Sequence, residues 1–129
     1  EIFTYSTTDP TRDVFVISTT QKRDYCNLNI SFFGKKISLN LSVASLGMVS
    51  NTLATLLTIW KIKGDIHPYL AAFETFKPLT KILEKTCYRS DSGPNFTFID
   101  DTHNASLPAM KNTIAYFNEI CNLTKERNY

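Results

Sequence analysis

Five Asn-X-Ser/Thr tripeptides are the residues of this 129-residue sequence most plainly spaced for covalent chemistry. They begin at Asn29, Asn40, Asn95, Asn104 and Asn122. An asparagine in this setting is the acceptor for N-glycosylation, a reaction that reaches only chains crossing the secretory membrane. Average residue usage would supply roughly one such tripeptide in a chain of this length. The excess predicts a single extracellular domain over 1–129, secreted or at a cell surface, its signal peptide and any anchor removed.

The thiols point the same way. Cys26, Cys87 and Cys121 make an odd count, which in an oxidising compartment means one disulfide and one spare. Cys87 and Cys121 fall on core-facing helical positions, so the expected bridge is Cys87–Cys121, with Cys26 buried and free. The alternative bridges Cys26 and leaves Cys87 to pair between chains as a homodimer.

Other chemistries find little material. Asp100, Asp101 and His103 form the one Asp/His cluster, a pattern that could bind a metal or move protons. Acidic loop residues beside a lone His are more often simply solvated, and His67 beside Pro68 reads as a helix-start residue. No Cys/His spacing suits zinc, so neither a metal site nor a cofactor is expected. The four glycines do not cluster, which excludes a phosphate-cradling loop within this sequence. A net charge of +2, with basic residues scattered, gives no face for nucleic acid. No run of about 18 apolar residues is present, so no membrane insertion is expected. The chain reads as a non-enzyme.

The elements that must position these residues follow from periodicity. With 43% hydrophobic and 20% charged residues the chain has the makings of a folded core. Ile2–Ser6 and Asp13–Thr19 are β-rich and separated by a turn cluster. Cys26, Leu28, Ile30 and Phe32 alternate with polar residues, as do Ile37, Leu39, Leu41 and Val43. Period two predicts a half-buried antiparallel hairpin over about 25–44. A turn at Gly34-Lys35 would pair Ile30 with Leu39 and set Asn29 opposite Asn40, both toward solvent. Phe32 and Phe33 cannot both face inward, which makes Phe33 a candidate contact for a partner.

Beyond residue 45 the period becomes helical. Leu46, Val49, Leu53, Leu56, Leu57 and Trp60 define a helix over about 46–63 that stops at Gly64. Further helices are expected over about 66–77, 79–87 and 106–125, divided by Pro78 and a long polar loop. A brief strand at 96–99 is open within that loop. The last helix should bury Leu107, Met110, Ile114, Phe117 and Cys121. The expected fold is α+β, an N-terminal antiparallel sheet packed by three or four C-terminal helices. Its expected role is non-enzymatic binding of an extracellular protein, as ligand, receptor fragment or immune-directed effector. The alternative is a carrier of a small apolar ligand or lipid held between sheet and helices.

Overall fold

The computed structural model of the protein describes residues 2–22, 25–42, 44–103 and 106–125. Four strands form the first sheet in the order β1 (Tyr5–Ser6), β2 (Val14–Gln21), β3 (Cys26–Phe32) and β4 (Lys35–Leu41). β1 runs parallel to β2, and the other pairs are antiparallel. Helix α1 (Leu46–Lys63) covers this sheet, followed by a single 3-10 turn (His67–Tyr69) and the short helix α2 (Leu70–Thr75). A separate hairpin, β5 (Glu84–Tyr88) and β6 (Phe96–Asp100), leads into α3 (Leu107–Lys125). The architecture is α+β.

Alternation builds the core. Leu28, Ile30 and Phe32 of β3, with Ile37, Leu39 and Leu41 of β4, are all buried on one face of the sheet. Val49, Leu53, Leu56 and Leu57 of α1 close over them, and Leu28, Ile30, Leu53 and Leu56 lose all contact with solvent. Ser45 caps α1, its hydroxyl accepting from Met48 N at 3.3 Å. Gly64 ends the helix at φ 78°, its N–H donating to the Trp60 carbonyl at 2.7 Å. That left-handed position is what made Gly64 a stop signal. Leu46 lies on the exposed side and Trp60 is half-buried.

The hairpin turn differs from expectation by one step along the chain. Phe33 and Gly34, at φ 48° and 78°, occupy its centre, rather than Gly34 and Lys35. Two positive-φ residues in a two-residue loop match the right-handed twist of the flanking strands. The register therefore pairs Phe32 with Lys35, Ile30 with Ile37 and Cys26 with Leu41. Asn40 faces Asn27, and Asn29 faces Ser38, so the expected Asn29–Asn40 opposition is corrected. Because the register moved by two residues, the apolar faces stayed together. Phe33 bears a conformation unfavourable for a bulky residue. Its ring packs 4.5 Å from Trp60 and 5.7 Å from Phe3, which compensates.

Three helical expectations need correction. The 66–77 helix is shorter, a 3-10 turn and then six residues of α2. Residues 79–87 are not helical: 79–83 form turns and Glu84–Tyr88 is a strand paired with Phe96–Asp100. The strand at 96–99 is present as β6. In α3 the stripe expected to be buried is exposed, with Leu107 at 67%, Met110 at 53%, Ile114 at 59% and Phe117 at 45%. Tyr116, one step round the helix, is the buried residue.

Two consequences are measurable by urea denaturation. Leu56→Ala should cost about 2–5 kcal/mol, because it empties a fully enclosed site. Gly64→Ala should cost about 1 kcal/mol through its positive φ alone.

A pH effect is expected at the start of the sheet. The Asp13 carboxylate accepts from Thr4 N at 2.7 Å and from the Thr4 hydroxyl at 2.8 Å. These bonds, the backbone one foremost, hold its pKa below the ordinary carboxylate value. The folded pKa is depressed, so the contribution is complete above the ordinary carboxylate range and lost as pH falls through the depressed value. Asp13→Asn should therefore be less stable than the parent near neutrality, and the two denaturation curves should converge in strong acid.

Candidate functional site

The chain crosses from the first sheet to the second hairpin through residues 76–83, and the Asp100–His103 turn is fastened to this crossing. Lys81 and Leu83 both adopt positive φ, 63° and 50°, which non-glycine residues rarely hold without support. The support is specific. The Leu83 N–H donates to Asp101 Oδ1 at 3.2 Å, and the His103 N–H donates to the Lys81 carbonyl at 3.0 Å. The Lys81 N–H donates to Glu84 Oε2 at 2.9 Å. Asp101 also accepts from the Thr113 hydroxyl, so one carboxylate joins the crossing to α3.

Asp100 serves its own turn, accepting from Thr102 N at 3.1 Å and from the Thr102 hydroxyl at 2.8 Å. The His103 side is exposed. Asp100, Asp101 and His103 thus act on separate partners, and no cluster fit to hold a metal occurs among the described residues. What the sequence reading missed was the crossing itself. Leu79, Ile82 and Leu83 carry helical spacing, and nothing in Lys81 or Leu83 announces a left-handed backbone. Pro78 was the only local sign.

Beside this junction lies a cleft of about 670 Å³, with Lys77, Glu84, Cys87 and Tyr116 among its walls. Cys87 is on β5, exposed, with Sγ 3.7 Å from the Thr97 hydroxyl. Cys26 is buried on β3, and burial pushes its thiol pKa up. Cys121 is half-buried on α3. All three are free thiols, so the expected Cys87–Cys121 bridge is not formed: Cys87 belongs to a strand and not to a core-facing helix.

The sequon asparagines occupy unlike environments. Asn29 and Asn40 are half-buried in a row of polar side chains on the outer sheet face. Asn29 Nδ2 donates to Ser18 Oγ at 3.2 Å and to Asn27 Oδ1 at 3.0 Å. Asn40 accepts from Asn27 Nδ2 at 3.0 Å and donates to Glu74 Oε1 at 3.4 Å. Asn95 and Asn122 are exposed, and Asn104 lies outside the described residues. Phe33, 37% exposed, is part of the aromatic group with Phe3, Phe32 and Trp60.

A second cleft, of about 380 Å³, opens between α1 and α2 at the end of β4. No helix among the described residues is long and apolar enough to cross a membrane.

No family model matches the chain, and no curated protein aligns with it significantly. Solved structures do share its fold. MurF from Acinetobacter baumannii superposes with a TM-score of 0.75 over 92% of this chain, at 17% identity. MurC, the UDP-N-acetylmuramate–alanine ligase of Thermotoga maritima, gives 0.71 over 92% at 20% identity. MurF ligase from Thermotoga maritima, in complex with ADP, gives 0.65 over 83% at 18%. The chain spans about a quarter of each, 24% to 26% of their length.

The junction makes a direct prediction. Asp101→Ala should destabilise the protein by about 1–3 kcal/mol, since it leaves the Leu83 N–H without its acceptor and removes the tie to Thr113, whose hydroxyl keeps only the Ala109 carbonyl. Asp100→Asn and His103→Gln should stay within about 0.5 kcal/mol of the parent. Chemical denaturation monitored by circular dichroism separates the two outcomes.

Proposed function

We propose that this chain is a scaffold segment of a nucleotide-driven ligase of the Mur type. The observation that supports this reading is the superposition on MurF over 92% of the chain. Fold likeness alone does not carry an activity. A second observation adds weight. The apolar stripe of α3 and the aromatic residues Tyr88, Phe96 and Phe98 of the second hairpin stand exposed. Exposed apolar surface on this scale marks contact with something else. In a polypeptide about four times as long, the remaining segments would meet it.

The residues present define what the segment can contribute. Forming an amide bond from a carboxylate needs activation: a nucleoside triphosphate passes its terminal phosphoryl group to the carboxylate and leaves as the diphosphate, and the amine then displaces that phosphate. The four glycines are Gly34, Gly47, Gly64 and Gly93, none near another, so no backbone cradle for phosphates is built here. Phosphate binding on this reading falls to other parts of the polypeptide. The role of the present residues is to fix the junction at Lys81–Leu83 and Asp101 and to hold α3 beside it.

The second reading is the extracellular binding protein, favoured by the exposed positions of Asn95 and Asn122 and by the number of sequons. The two readings diverge in one preparation. The full-length polypeptide carrying this segment, made in eukaryotic culture, should release ADP when given ATP, an amino acid and UDP-N-acetylmuramate. Peptide mapping should find Asn95 and Asn122 unmodified. No nucleotide turnover, together with glycans at those two asparagines, would overturn the ligase reading in favour of the second.

A further inference from the structure

The cleft between α1 and α2 is a separate feature with its own chemistry. Its floor is Leu41 at the end of β4, and its walls include Met48 and Ile59 of α1 and Phe73 and Phe76 of α2 and its exit. Thr52 and Thr55 also line it, yet neither offers a free hydroxyl. Thr52 Oγ1 donates to the Met48 carbonyl at 2.9 Å and Thr55 Oγ1 to the Asn51 carbonyl at 2.8 Å. With the hydroxyls turned into the helix backbone, these threonines can present hydrocarbon to the cleft. None of the lining residues carries a charge. Polar groups capable of orienting a ligand remain in Asn51 and Tyr69, both exposed residues.

The position of α2 is held independently of any occupant. The Ser42 hydroxyl donates to the Phe76 carbonyl, and Asn40 Nδ2 donates to Glu74 Oε1 at 3.4 Å. A helix of six residues is thus tied near its C-terminal end to the end of β4. The space of about 380 Å³ is within the range that binds small molecules. It lies outside the sheet–helix interior, which is filled by Leu28, Ile30, Leu53 and Leu56.

We propose that this cleft binds a small uncharged ligand, a single aliphatic chain ending in a neutral polar group. Charge complementarity selects the class. An ionised headgroup drawn against walls without counter-charge loses hydration that Asn51 and Tyr69 alone do not replace. A neutral alcohol keeps its chain against Met48, Ile59 and Phe73 and its hydroxyl near Asn51 or Tyr69. The proposal stands apart from the ligase reading, because binding is read without turnover.

The test uses 1-decanol and decanoate as probes, with the chain carrying carbon-13-labelled methionine methyl groups. Decanol should shift the Met48 methyl resonance saturably, and decanoate should bind at least tenfold more weakly. Thr55→Val should retain decanol binding, while Thr55→Asp should weaken it several-fold; Thr55 is exposed, so both variants should fold. Absence of saturation, equal affinity for decanoate, or identical behaviour of the two variants would overturn the proposal. So would a doubled mass in light scattering with the Met48 methyl indifferent to decanol, which would assign the cleft to a second copy of the chain.

Discussion

Leu28 and Ile30 on β3 and Leu53 and Leu56 on α1 are sealed against one another, and the rest of the molecule is arranged around that contact. Each of the four is fully withdrawn from water, and burying such side chains contributes about 1.5–3 kcal/mol apiece. Once α1 is laid across the sheet, its two ends have fixed positions. Gly64 turns the chain back so that Ile66 is buried and α2 lies alongside β4. At the other end Gly47 comes close to Asn112 of α3, where an added Cβ would lie 3.3 Å from Nδ2. The cleft between α1 and α2 follows from where this one helix rests.

The parts of this arrangement legible in the residues were those with a strong repeating pattern and a clear terminator. Period-two alternation in β3 and β4 survived an error in the turn, because the side chain repeat is also two. Helix α1 was legible from Leu53, Leu56 and Leu57 at one end and Lys61-Ile62-Lys63-Gly64 at the other. The crossing at 79–83 was not. Leu79, Ile82 and Leu83 have helical spacing, but β5 gains a partner in β6 only if the helix is abandoned. Local pattern lost to a pairing across the intervening loop, from Tyr88 with Phe96 to Glu84 with Asp100, a contest that periodicity cannot judge.

Helix α3 shows a different limit. Its most regular apolar stripe, Leu107, Met110, Ile114 and Phe117, is the exposed one, and Tyr116 makes the buried contact. A helix with two usable faces does not declare which of them its neighbours will take. Thr113 donates to Asp101, which ties α3 to the crossing at 79–83. The regular stripe is left over. Its regularity is that of a stripe patterned for burial, and in this structure it faces outward.

The sequons, the feature that first suggested an address, carry unequal weight once their hydrogen bonds are known. A glycan attaches at the side-chain amide nitrogen. At Asn29 that nitrogen donates twice within the sheet face, and at Asn40 it reaches Glu74 of α2. Attachment to an extended chain before folding would strip both asparagines of these bonds and place a sugar where α2 approaches β4. The same polar row, made of Ser18, Asn27, Asn29, Ser38 and Asn40, closes on itself through cross-strand bonds. A sheet face built from short amides and hydroxyls generates Asn-X-Ser tripeptides as a matter of composition, because alternation puts polar residues two apart. The amides of Asn29 and Asn40 thus have partners within the folded domain, whereas Asn95 and Asn122 stand exposed.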